Sequence, residues 1–364
     1  RLSDELGSEL AIMKGRVDGL EARVNTIEAG SFSETTTMSG SVGFLIGATD
    51  SATPANDKVM MEYFYEVDLN TSFTGEDKLN IEIETGNHPG IGVGADKVGL
   101  DWGSDNGDTL KVSDVNYTFP LGGWTVAVGD SMDASKTWPN ACAVNNMVDN
   151  LGDCGAANSV DLSGDVSLSA STEFGDGWEL GLGISADSGE TSRGIFTNEG
   201  DDYYGIAIGY ERDTFGFTAA YSMKESTTIA NSTTGWVQSD NASQKDTTYY
   251  GLVGYYSPES TPLTLSGGIE LSDIEGTNTD KTQWTVGVST DLGEGTLSAT
   301  FGTNGAIADN AEEIYAYDLS YEYPINDSMS VTPFVYVAET TGSTVDTTGA
   351  VSYTHLRAHE TNSH

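Results

Sequence analysis

Between residues 35 and 350 the chain alternates apolar and polar side chains in segments of about ten residues, separated by turn signals. Trp178, Leu180, Leu182 and Ile184 interleave with Glu179, Gly181, Gly183 and Ser185. Tyr315, Tyr317, Leu319, Tyr321 and Tyr323 interleave with Ala316, Asp318, Ser320 and Glu322. A period of two places the two sets on opposite faces of a strand, and about ten residues is what a tilted strand needs to cross a bilayer. The pattern predicts strands over 35–48, 58–72, 77–86, 109–119, 122–130, 164–174, 176–187 and 201–211. It continues over 213–224, 246–257, 260–271, 281–291, 293–304, 313–323 and 326–338, with a truncated strand near 345–353. The connections alternate short and long; Gly75-Glu76, Arg212-Asp213 and Gly293-Glu294 are short, whereas 87–108, 131–163 and 225–245 are long. A soluble sandwich has no reason to keep that parity, but a membrane barrel has short turns on one side and long loops on the other. The expected fold is an all-β membrane protein, a 16-stranded antiparallel transmembrane β-barrel over 31–350, entered from the periplasm.

Residues 1–30 differ in kind. Leu2, Leu6, Leu10, Met13, Val17, Leu20, Val24 and Ile27 follow a heptad seam, with charged residues between them and Gly30 at the end. Three interior glycines weaken such a helix by about 1 kcal/mol each, so it is expected to associate with copies of itself as a periplasmic coiled coil. A single amphipathic helix lying on the barrel is the alternative. Aromatics gather beside the short turns, as Phe174 with Trp178, and near the long loops, as Tyr203, Tyr204, Tyr221, Tyr249, Trp284, Phe301 and Tyr315. Two such girdles match the interfacial belts of a barrel wall.

Composition sharpens the picture. The chain carries 56 acidic and 15 basic side chains, a net charge of −41. Nucleic acid, which needs a basic footprint, is excluded as a partner, and cations are favoured near any pore. There is no run of 18 apolar residues and hence no transmembrane helix in the sequence. No signal peptide is visible, and the chain opens at Arg1 inside a helical pattern, which reads as a fragment. Residues 351–364 resemble a translated sequencing-adapter scar. They are left out of the fold, and His355, His359 and His364 are not taken as metal ligands.

A heptad helix, then Glu28-Ala-Gly-Ser-Phe-Ser-Glu-Thr-Thr-Thr-Met-Ser-Gly40, then a Gly- and Tyr-rich barrel: this order resembles the cyanobacterial outer-membrane porins. Members of that family carry a surface-layer-homology domain, a coiled coil and a 16-stranded barrel related to carbohydrate-selective porins. The resemblance implies passive diffusion of ions and small hydrophilic solutes, including iron or carbohydrates, through homotrimers in outer-membrane lipid. It also implies a cell-wall attachment through an N-terminal domain that precedes this chain, and a third external loop, here 131–163, that folds inward and narrows the pore.

The alternation makes Glu62, Glu66, Asp68, Glu82, Glu84, Asp114, Glu179, Glu211, Asp318 and Glu322 inward-facing, pore-lining carboxylates. Facing lipid would cost about 2–4 kcal/mol at mid-membrane, and a wet ring of carboxylates lowers the energy of cations. Cys142 and Cys154 lie in the longest loop with eleven residues between them. The oxidising route to the outer membrane predicts a disulfide between them. Asp101, Asp105 and Asp108 do not match the spacing of an EF-hand. No nucleophile elbow, phosphate-binding glycine loop or His-Glu-x-x-His motif is present, so no enzyme, cofactor or metal site is expected. Two rivals stand beside the porin: a secreted acidic β-rich adhesin or surface-layer protein on a coiled-coil stalk, and a closed barrel that tethers without conducting.

Overall fold

The computed structural model describes residues 36–50, 58–87, 100, 106–145, 147–187, 189–197, 200–225, 228–231, 235–238, 246–276, 280–340, 342 and 345–358. The predicted heptad helix over 1–30, most of the Asp101–Asp108 segment, His359 and His364 lie outside them. Among the described residues no helix is long and apolar enough to cross a membrane, which says nothing of a barrel.

The strands in chain order are β1 (Thr36–Asp50), β2 (Met60–Thr71), β3 (Lys78–Gly86), β4 (Lys111–Leu121), β5 (Trp124–Asp130), β6 (Val166–Phe174), β7 (Trp178–Asp187), β8 (Asp201–Arg212) and β9 (Phe215–Lys224). Next come β10 (Thr228–Asn231), β11 (Gly235–Gln238), β12 (Thr247–Tyr256), β13 (Leu263–Ile274), β14 (Lys281–Leu292) and β15 (Gly295–Thr303). The chain ends with β16 (Ile307–Ala308), β17 (Tyr315–Asn326), β18 (Met329–Ala338) and β19 (Thr347–Ala358). β10 and β11 form a separate hairpin inside a long loop that the sequence pattern did not resolve, and β16 is a two-residue extension paired to β14. The remaining sixteen strands form one antiparallel sheet, each paired to its neighbours, and β1 pairs with both β2 and β19. The sheet is therefore one closed cylinder, which leaves no long open edge. It is not two sheets stacked over a dry centre.

The closing strand corrects the sequence reading. Residues 351–358, left out of the fold above, continue β19 and pair with β1 and β18, with Gly40 opposite Ala358 and Met329 opposite Leu356. Ser352 and Thr354 occupy the outward positions of β19, so the apolar–polar contrast that marks the other strands is absent there. Closure supplies the pairing that alternation alone does not reveal.

Local rules explain the walls. The tight turns at Gly122 and Gly293 take φ of +64° and +68°, which glycine adopts without a Cβ clash. Tyr336 stands opposite Gly349 and Tyr255 opposite Gly216, each ring lying over the bare backbone of its partner. Such cross-strand covering of a glycine helps fix register. The two faces separate as a membrane barrel requires: Val286 is 52% exposed on the outside, and its neighbour Thr285 is fully buried on the inside. Leu319 and Tyr317 likewise point out, while Asp318 and Ser320 point in.

Candidate functional site: the lumen and its inward loop

The apolar clusters of this barrel lie inside the cylinder, between the wall and the 131–165 segment that joins β5 to β6. That segment is a finger held by nested links. At its root Met132 N–H donates to Asp165 O at 3.2 Å, and further in Ser135 Oγ donates to Asp161 Oδ1 at 2.8 Å. Nearer the tip, Asn140 Nδ2 donates to Asp153 Oδ1 at 3.2 Å and a disulfide joins Cys142 to Cys154. A ring of this size contributes about 3 kcal/mol by the chain-entropy account. The tip carries 3-10 turns over Asp149–Gly155.

The wall is shaped to receive the finger. Trp138 lies over Gly181 and Gly205, Pro139 over Gly209, Ser159 over Gly251 and Val144 over Gly287. A Cβ at Gly181 would stand 2.6 Å from the Trp138 ring, and one at Gly268 would stand 2.7 Å from Cys154 O. The small residues that the alternation places inward are thus the floor of a dry contact rather than a wet surface. Polar groups complete the dock. Glu270, 2% exposed, accepts from Ser159 N–H at 2.8 Å, Ser159 Oγ at 2.7 Å and Asn158 Nδ2 at 3.0 Å. Lys224 Nζ donates to Asn158 Oδ1 and Ser163 Oγ, each at 3.2 Å, and lies over the rings of Tyr203 and Tyr249. Those two tyrosines therefore face inward and are not part of the outer aromatic girdle predicted above. At the tip, Val148 and Leu151 pack with Leu45, Phe64, Phe334, Tyr336 and Val351, and Leu100 bridges to Val148.

The facing wall, β2 to β4, has the opposite character. Glu66 stands directly opposite Glu84, Asp68 opposite Glu82, and Glu82 opposite Asp114. All five are half-buried. Like charges directly across a ladder are destabilising; at about 5 Å the repulsion is about 1 kcal/mol in water and several times that near a protein surface. Neutral donors relieve part of it. Asn80 Nδ2 donates to Asp68 at 2.8 Å, Asn116 Nδ2 to Asp114 at 2.9 Å and Ser113 Oγ to Glu82 at 2.7 Å. Two lysines add ion pairs, Lys111 with Glu84 at 3.2 Å and, from the finger, Lys136 with Asp114 at 3.3 Å. Beside Lys136, Asp133 is hemmed in by the finger and by Asp161; desolvation, then that neighbouring charge, pushes its carboxyl up to about 6.

The other expected carboxylates separate into two kinds. Glu179, Glu211 and Glu322 lie on the inner face and are half-buried or exposed, with Glu322 edging a hollow of about 870 Å³ beside Asn145 and Met147. Glu62 and Asp318 also point inward but are only 5% and 4% exposed, and Asp318 accepts from Thr300 N–H and Oγ1. They are packed wall residues, not water-facing ones, because alternation reports the face and not what covers it. Glu173 and Glu270 share the inward parity with Ser171 and Ser272; the same alternation that selected the others would have found them. Among the described residues no group of three or more His, Cys, Asp or Glu is placed to hold a metal ion.

Residues 210–356 match the sequence model of the Gram-negative porins. A curated relative, uncharacterized protein alr4550 of Nostoc sp. (strain PCC 7120 / SAG 25.82 / UTEX 2576), is 26% identical over 92% of this chain and 67% of its own length. Among solved structures, a mutant of Rh. blastica porin superposes with a TM-score of 0.57 at 14% identity, covering 89% of this chain and all of that one. A triple mutant of Rhodopseudomonas blastica porin gives 0.53 at 13% over the same shares. At such identity the structural likeness shows the fold. The porin match and the barrel support an outer-membrane porin for passive diffusion, and porins are channels rather than enzymes. Taken together, this chain is similar to the Gram-negative porins over residues 210–356, to a cyanobacterial protein over most of its length and to solved porin barrels in its fold.

Proposed function

We propose that this barrel passes ions and small hydrophilic solutes down their gradients and prefers cations, and that it does so as a homotrimer with its N-terminal segment in the periplasm. The observation that carries the cation preference is the β2–β4 wall, where carboxylates stand opposite carboxylates and the donors between them are largely neutral. That arrangement costs the fold stability and lowers the energy of a cation beside it. The finger supports the same reading. By covering much of the wall from β6 to β14 it narrows the lumen on a side other than that of the β2–β4 carboxylates. The test is the reversal potential in a KCl gradient across a planar bilayer, expected to have the sign of K⁺ permeation; anion preference rejects the proposal. Outer-membrane partitioning and heat-modifiable gel migration separate this reading from the adhesin, which would be soluble without detergent.

A further inference from the structure

The finger lays one cation against the acidic wall. Lys136 Nζ donates to Asp114 Oδ2 on β4 at 3.3 Å. Among the described residues this is the ion pair that joins the finger to the β2–β4 wall. The backbone on either side of Lys136 is fixed. Ser135 Oγ donates to Asp161 Oδ1 at 2.8 Å, Thr137 N–H donates to Ser169 Oγ on β6 at 3.1 Å, and Trp138 lies over Gly181 and Gly205. The lysine side chain therefore runs from a held point on the dry wall to the charged one. Its neighbours are mostly acidic: Asp133 of the finger feels the charges of Asp161, Lys136 and Asp114 together. Lys224 also reaches Asp133 and Asp161, but its ammonium is engaged by Asn158 and Ser163.

Lys136 adds little to the hold on the finger. Its side chain is 37% exposed and that of Asp114 13%, and an ion pair open to water is screened and contributes little stability. The finger is fastened without it, by the disulfide, by Ser159 on Glu270 and by the packing of Trp138 and Leu151. What an accessible ammonium does change is the field that a passing ion meets. Opposite charges a few ångströms apart largely cancel for a third charge outside the pair. The other carboxylates of this wall differ in this respect, since Asp68 and Glu82 are met by the neutral donors Asn80 and Ser113 and keep their full charge toward the lumen.

We propose that Lys136 is a specificity-determining residue: its ammonium, a counter-cation tethered to the finger, holds the cation preference of the lumen below what the carboxylates alone would give. This rests on the diffusion reading above. Full-length channels are recorded in a KCl gradient near about 0.1 M, where the screening length is about 10 Å. Lys136→Met is expected to raise the K⁺ to Cl⁻ permeability ratio about threefold and Lys136→Glu about tenfold, each with current as quiet as that of the unaltered chain. Lys136→Arg, which keeps the charge, and Lys58→Met, on the exposed connection between β1 and β2, are expected to shift it less than about 1.5-fold. Heat-modifiable migration verifies folding, and Lys136→Gln takes the place of Lys136→Met if that variant lacks the compact band. An unchanged or lower ratio in the Met and Glu variants overturns the proposal. So does a larger, noisier current at an unchanged ratio, which makes Lys136 a latch. Anion preference in the unaltered chain rejects the cation-preferring reading instead, because the shift caused by Lys136→Met is measured whatever the sign of the starting preference.

Discussion

Two walls of one barrel, built by the same alternation, have opposite inner surfaces. On β6 to β14 the inward residues are mostly Gly, Ser, Thr and Ala, and the finger lies on them with Trp138, Pro139, Val144 and Ser159 in direct contact. On β2 to β4 many of the inward residues are Glu, Asp and Asn, and they meet each other across the ladder. The first wall gains stability by becoming dry, since small residues let a second backbone approach closely and close packing is favourable. The second gives up stability to stay wet and charged. Residues that cost the fold and are only partly relieved by cations, here Lys111 and Lys136, are where function is expected to lie.

The largest effect that tests this comparison is a change of face. Val286→Asp puts a charge on the outer surface, where hydrocarbon opposes it, and is expected to be read as loss of the compact heat-modifiable band. Ser330→Asp, at the large hollow, is expected to leave that band intact. Thr285, the inward neighbour of Val286, is a poor control because Gly155 of the finger presses against it. Comparable damage from Val286→Asp and Ser330→Asp would break the assignment of faces.

Next is the hold on the finger. Cys142→Ser/Cys154→Ser removes the link nearest the tip and is expected to lower stability by about 3 kcal/mol. Because Ser159, Asn158 and Lys224 still dock the root side, the barrel is expected to form with larger and noisier single-channel current. Unchanged current would mean that the finger does not bound the path.

On the acidic wall, Glu66→Gln/Glu84→Gln removes a directly opposed pair of charges and is expected to raise stability by up to about 1 kcal/mol while lowering the K⁺ to Cl⁻ permeability ratio. A loss of stability would make this wall structural like its counterpart. The smallest effect lies between the walls, at Asp133. Its carboxyl is held up at about 6, above the ordinary carboxylate range, so the fold favours the protonated form. Stability from this group is therefore full below the ordinary value and is lost as pH rises toward 6. The K⁺ preference is expected to fall as pH drops from 7 to 5, and Asp133→Asn to remove part of that change. An equally steep pH profile in Asp133→Asn would place the titration elsewhere.

Alternation and turn residues were enough to place sixteen strands and their order, because each strand meets two different solvents and its side chains must sort at every second position. Facing direction was readable in the same way for Glu66, Glu82, Glu179 and Glu322. Burial was not: Glu62 and Asp318 share that parity, yet neighbouring inward residues and loops cover them. Tyr203 and Tyr249 read as belt aromatics from their place near the long loops, yet they share the inward parity of Gly205 and Gly251 and lie under Lys224. β19 was missed beyond residue 353 because residues 351–364 read as an adapter scar without strand alternation, whereas pairing with β1 and β18 identifies it.

The amino-acid pattern by itself therefore determined the cylinder: strand number, turn parity, the apolar exterior and the acidic balance. Which part of the interior is dry and which is open was decided only by tertiary structure. That division depends on where one long segment comes to rest, and its contacts join Trp138 to Gly205 and Ser159 to Glu270, residues far apart in the chain that local periodicity cannot relate.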